Sequence, residues 1–172
     1  METPASTRKI AITAAAAALV FAATYFLRIP IPTLSGAYFN LGDTVIYLAA
    51  AFIGGFPAAF AGLFGSVLAD VFAGAAIYVP ATAIIKFAIG FIAGKICFAK
   101  GAKSVIAASV IGGLIMNGGY SLYETLLFGF SYAIVALPAN LLQGTCAAVS
   151  TVALYPALKK AIISIPNGSR FS

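Results

Sequence analysis

Residues 44–74 read TVIYLAAAFIGGFPAAFAGLFGSVLADVFAG, an apolar run in which Asp70 is the single charged side chain. A membrane helix needs about 20 such residues, so the run is too long for one crossing. Its middle, Gly54-Gly55-Phe56-Pro57, carries the punctuation of a break: glycines end a helix and proline is tolerated in the first turn of the next. The stretch divides into helices over about 42–55 and 57–74, the first short for a full crossing unless tilted or extended by preceding residues. Backbone groups left without partners in hydrocarbon cost several kcal/mol each, which is why a helix is the expected solution.

The same reading extends in both directions. Ile10 to Leu27 is apolar and follows Arg8 and Lys9, as in a signal peptide, but it is long and leads into Arg28-Ile-Pro-Ile-Pro32 rather than a small-residue cleavage site. It is expected to be a first membrane helix over about 9–27, and further helices are expected over about 80–98, 105–129 and 132–158. The expected fold class is an all-α integral membrane protein, one membrane domain over 1–172 with six transmembrane helices.

Composition supports this independently. The chain has 172 residues, 62% hydrophobic and 8% charged, with a mean hydropathy of +1.06, whereas a soluble domain carries about 25% charged residues. That excludes a soluble enzyme and a nucleic-acid-binding domain despite the net charge of +6. There is no histidine, which removes the commonest general base and metal ligand; Cys97 and Cys146 lie in apolar stretches without ligand spacing. No catalytic residue, metal or cofactor is expected. Gly90-Phe-Ile-Ala-Gly94-Lys95 falls short of a phosphate-binding loop, so any uphill transport draws its energy from a partner or an ion gradient. With the N-terminus in the cytoplasm, Arg8, Lys9, Lys95, Lys100, Lys103, Lys159, Lys160 and Arg170 all fall inside, leaving Arg28 and Lys86 toward the outside. Short cytoplasmic loops are enriched in cations, so both termini are expected in the cytoplasm and the surplus charge is a topology signal.

Polar side chains within membrane segments are candidate functional groups, since each is costly unless paired or wetted. Lys86, then Asn117, Tyr120 and Glu124, then Asn140 and Gln143 reach one depth from three helices, with Asn40 and Tyr78 in adjoining loops. One reading is a pocket for a small polar molecule, open to the outside; the other is hydrogen bonding between helices. Tyr25, Tyr38, Tyr78, Tyr123 and Tyr132 fit an interfacial aromatic belt, and those beside polar groups also fit a stacking role. Asp43 suits a helix cap, whereas Asp70 near a helix C-terminus needs a cation, Lys86 or Arg28. Ala14, Ala18 and Ala22, at four-residue spacing, suit either internal packing or docking of another helix.

The order Asn40-Leu-Gly-Asp43, Gly65-Ser-Val-Leu-Ala-Asp70, Tyr78-Val-Pro80, Lys86, Asn117 to Glu124, Pro138-Ala-Asn140-Leu-Leu-Gln143 and Leu154-Tyr-Pro156 resembles the S components of energy-coupling factor (ECF) vitamin transporters. The resemblance implies a high-affinity vitamin-binding subunit of an ABC-type transporter in the prokaryotic cell membrane, partnered by a coupling membrane subunit and two ATPases. It implies a first outer loop acting as a lid, a substrate pocket of Asn40, Tyr78, Lys86, Asn117, Tyr120, Glu124, Asn140 and Gln143, and supporting roles for Asp43, Asp70 and Tyr123. It also implies a docking face for the coupling subunit on Ala14, Ala18 and Ala22, in a register that Ala11 and Ala15 would also fit. The sub-pattern is similar to S components for pyridoxine or hydroxymethylpyrimidine. A stand-alone transporter relaying an ion through Asp70, Glu124 and Lys86, or an intramembrane enzyme using Asp43 and Asp70, are the competing readings.

Overall fold

The computed structural model describes residues 5–30 and 38–164. Among these residues six helices form the bundle: α1 (Ala5–Tyr25), α2 (Gly42–Ile53), α3 (Gly55–Phe72), α4 (Val79–Cys97), α5 (Ala102–Phe128) and α6 (Phe130–Ser164). Between α1 and α2 two short strands, β1 (Ile29–Pro30) and β2 (Tyr38–Phe39), pair antiparallel with Ile29 opposite Phe39. A 3-10 turn, Ala76–Tyr78, leads into α4. Five of the helices are long and apolar enough to cross a membrane, and α2 is the short one.

The α2–α3 break falls at Gly54, whose φ of +91° is costly for any residue with a Cβ. Helix α3 therefore begins at Gly55 and takes Pro57 into its first turn, two residues earlier than expected. Gly129, at φ +90°, turns α5 into α6 in one residue. Helix α6 runs on past the expected end near residue 158 and keeps Pro138 and Pro156 inside it. Lys159 and Lys160 are good helix formers and do not terminate it.

Helix α2 is the core of the bundle. Ile46, Tyr47 and Ala50 are fully buried, surrounded by Val20 of α1, Ala58 of α3, Ile89 of α4, Met116 of α5 and Ala147 of α6. Being wrapped on all sides by protein, it need not span the hydrocarbon itself. Its 12 residues give a length of about 18 Å, against about 30 Å for the bilayer core. The outer faces of the other helices expose Leu19, Phe64, Ile84, Leu114, Leu126 and Val149, a surface suited to lipid.

Close helix contact comes from small residues. A Cβ on Gly94 would collide with the backbone of Gly54 and Gly55, and one on Gly90 would lie 2.6 Å from Ala58 and Ala59 backbone atoms. The Gly90-x-x-x-Gly94 spacing is thus a packing motif that brings α4 against α3. On α1, Ala16, Val20, Ala23 and Thr24 are buried and Val20 meets α3 at Gly65. Ala11, Ala14, Ala15 and Ala18 form the exposed opposite face, with Ala22 half-buried at its edge. Internal packing of α1 therefore uses a register different from Ala14 and Ala18.

Candidate functional site

The short α2 leaves unfilled depth above its first residue. Gln143 holds Asn40 there: its Oε1 accepts from the Asn40 backbone N–H at 2.8 Å and its Nε2 donates to the Asn40 carbonyl at 3.0 Å. Gln143 lies about 20 Å along α6 from Phe130, so the chain enters α2 deep inside the bundle. The space above is a cavity of about 120 Å³.

Its walls follow helical periodicity. Tyr78, Thr82 and Lys86 line it from α4 and the turn before it, Met116, Tyr120 and Glu124 from α5, and Tyr132, Ala136 and Asn140 from α6. Each set is spaced i, i+4, i+8, the repeat that keeps side chains on one helix face. Ser66 and Asp70 of α3 and Thr24 of α1 close the remaining side.

The charged groups of the cavity each have a side-chain partner within the protein. The Lys86 ammonium donates to Asp43 Oδ1 at 2.6 Å, and both side chains are buried. It also lies 5.6 Å from the centre of the Tyr120 ring. Asp43 thus takes Lys86 as its partner from the first turn of α2 and does not cap that helix as expected. The Asn40 side-chain oxygen instead accepts from Gly42 N–H at 2.8 Å. Asp70 Oδ2 accepts from the Thr82 hydroxyl at 2.6 Å. Thr82 has one proton to give, so the Tyr120 hydroxyl, 2.9 Å away, donates to Thr82. The result is a chain of hydrogen bonds from Tyr120 through Thr82 to Asp70. Higher in the cavity Asn140 donates to Glu124 Oε2 at 3.3 Å, and the Tyr78 and Tyr132 hydroxyls approach to 3.5 Å.

Of the expected pocket residues, Asn40, Tyr78, Lys86, Tyr120, Glu124, Asn140 and Gln143 line the cavity. Asn117 does not. It is one residue past Met116, about 100° around the helix from the lining stripe; its Nδ2 donates to Gly113 O at 2.8 Å and a Cβ on Gly144 would meet it. It belongs to the α5–α6 seam. Asp70 lines the wall, and Asp43 sits behind Lys86. The Tyr123 hydroxyl donates to Ile77 O and its ring lies 6.1 Å from that of Tyr78, so it braces the turn that carries Tyr78. The expected lid, residues 31–37, and the Tyr38 side chain lie outside the described residues.

A family model described as the S component of an ECF-type riboflavin transporter matches residues 4–160. The chain belongs to this family of ECF-type S components. This S component is 30% identical over 163 residues to the thiamine precursor transporter HmpT of Lactococcus lactis subsp. cremoris (strain MG1363), covering 95% of this chain and 93% of that protein. It is 34% identical over 142 residues to an uncharacterized protein of Pyrococcus woesei, covering 81% and 93% respectively. The crystal structure of FolT bound with folic acid has the same fold, with a TM-score of 0.71 over 88% of this chain and 94% of that one at 19% identity. The chain is accordingly a multi-pass cell-membrane protein of vitamin uptake.

Sequence reading missed Thr24, Ser66 and Thr82 in the cavity wall of this S component. Thr82 had a legible signal: it lies one turn before Lys86 and one after Tyr78, on the same face. Thr24 and Ser66 are small hydroxyls of a kind that recurs along membrane helices to bond their own backbone, so nothing in the sequence set them apart.

Proposed function

We propose that this S component captures a single-ring hydroxylated nitrogen heterocycle, hydroxymethylpyrimidine or pyridoxine, with hydroxymethylpyrimidine favoured. The observation that carries the reading is the cavity itself, about 120 Å³ against roughly 300–1,000 Å³ for sites that take drug-sized ligands. A substituted six-membered ring suits that space. Similarity to the thiamine precursor transporter HmpT supports the same choice.

The lining suits the chemistry of such a ring. An aminopyrimidine offers ring nitrogens and an exocyclic amine along one edge; Glu124 accepts from the amine and the Asn140 amide pairs with its neighbour. Tyr78, Tyr120 and Tyr132 supply flat faces for stacking. Asp43 already balances the charge of Lys86, which leaves little attraction for a phosphorylated ligand. In this reading the cavity end faces outside, both termini are cytoplasmic, and Ala14, Ala18 and Ala22 dock on an ECF coupling subunit served by two ATPases.

Calorimetric titration of the purified protein tests the ligand. Hydroxymethylpyrimidine and pyridoxine are expected to bind, and riboflavin and folate to give no heat. Tighter binding of riboflavin than of either single-ring compound would overturn the assignment.

A further inference from the structure

The end of the bundle opposite the cavity carries Lys95, Lys100, Lys103, Lys159 and Lys160, with Arg8 and Lys9 at the start of α1, and none of the described acids. A second groove of about 570 Å³ opens there between the start of α5 and the last turns of α6. Its wall is apolar, formed by Ala102, Tyr155, Pro156, Ile163 and the stems of Lys159 and Lys160, with the Lys159 ammonium 5.9 Å from the centre of the Tyr155 ring. We propose that this groove holds one anionic phospholipid, with an acyl chain along the apolar wall and the phosphate between Lys159, Lys160 and the first turn of α5.

Depth, charge and helix geometry support this occupant. Helix α5 has 27 residues, so Ala102 lies about 40 Å from the Gly129 turn, and a bilayer with its headgroups is about 40–45 Å thick. The groove therefore opens at phosphate level. No side chain caps the start of α5, and its leading N–H groups favour an anion. Basic pockets between membrane helices suit anionic headgroups, whereas phosphatidylcholine is net neutral and brings a choline cation beside its phosphate, close to two ammoniums. The Tyr155 hydroxyl donates to Lys100 O at 2.8 Å, which ties α6 to the connection before α5 and fixes the groove's shape.

The test is titration of the detergent-solubilised full chain with short-chain phosphatidylglycerol, phosphatidylcholine or inorganic phosphate, read by native mass spectrometry. Phosphatidylglycerol is expected to bind one per chain, with phosphatidylcholine at least tenfold weaker and inorganic phosphate, which lacks the acyl chain, not retained. Lys159→Gln with Lys160→Gln should weaken phosphatidylglycerol roughly thirtyfold, Lys159→Arg with Lys160→Arg should restore it, and circular dichroism should report the same helicity in both. Lys95→Gln, on α4 beside the Phe91 ring, should change nothing. Equal binding of the two lipids, retention of free phosphate, or an equal loss in Lys95→Gln would overturn the proposal in favour of diffuse surface charge or an adventitious anion.

Discussion

The Lys86–Asp43 pair shows how much one contact carries in this bundle. Removing one member of a buried ion pair strands the other charge and costs about 3–5 kcal/mol, while replacing both with apolar residues is often close to neutral. Lys86→Met alone is therefore expected to lower the midpoint of thermal unfolding in detergent strongly, and Lys86→Met with Asp43→Leu to recover most of that loss; two additive losses would rule out the coupling. The asparagines make a second contrast. Asn140 lines the cavity and bonds Glu124, so Asn140→Ala should weaken ligand binding at unchanged stability. Asn117 faces Gly144 across the seam, so Asn117→Ala should lower stability and leave the dissociation constant within about twofold. Reversed effects in titration and melting would exchange their assignments. The polar lining residues Lys86, Tyr120, Glu124, Asn140 and Gln143 were legible from the sequence because depth along a helix follows from counting. Which partner a charge takes was not: Asp43 and Lys86 are 43 positions apart, and only the packing of α2 against α4 brings them together. The face was also read one residue off at Asn117, because i, i+3, i+7 and i, i+4, i+8 differ by less than the width of a helix face.

At the scale of elements, small residues and one short helix shape the site. Gly90 and Gly94 let α4 lie against α3, which in turn sets Thr82 beside Asp70. Gly94→Ala is expected to force the two backbones apart and cost about 1–3 kcal/mol, the usual range for an overpacked contact. Gly118 on α5 has nothing within 4 Å of its Cβ position, so Gly118→Ala should be neutral or slightly stabilising through helix propensity. Equal midpoints for the two variants would remove the glycine contact from the account. The existence and order of the six helices were legible because membrane spans are long and apolar. The shortness of α2 is visible in the sequence but its reason is not: a helix enclosed by the other five has no lipid to cross, and its missing length becomes the cavity. The β1–β2 pair, two residues per strand, is too brief to leave a periodic signal.

At the scale of the whole molecule, α1 has one face packed inside the bundle and one left open. Ala16, Val20, Ala23 and Thr24 look inward, and Thr24 reaches the cavity wall. Ala14 and Ala18 look outward with Ala11 and Ala15, a smooth strip against which another helix can approach closely. Contact with α3 at Gly65 fixes the inward face of α1 and leaves Ala11, Ala14, Ala15 and Ala18 together on the outward one. Large side chains at Ala14 and Ala18 would therefore meet only what lies outside the bundle. Ala14→Trp with Ala18→Trp is expected to leave the folding midpoint and ligand dissociation constant of the isolated protein unchanged and to abolish ATP-dependent uptake in cells that hold the complete transporter. Disrupting the inward face by Val20→Trp should instead lower stability and ligand binding together. Normal uptake by the double variant would take helix α1 out of the docking interface, and uptake by liposomes holding this chain alone, under an ion gradient, would point to the stand-alone transporter that the sequence left as a competing reading.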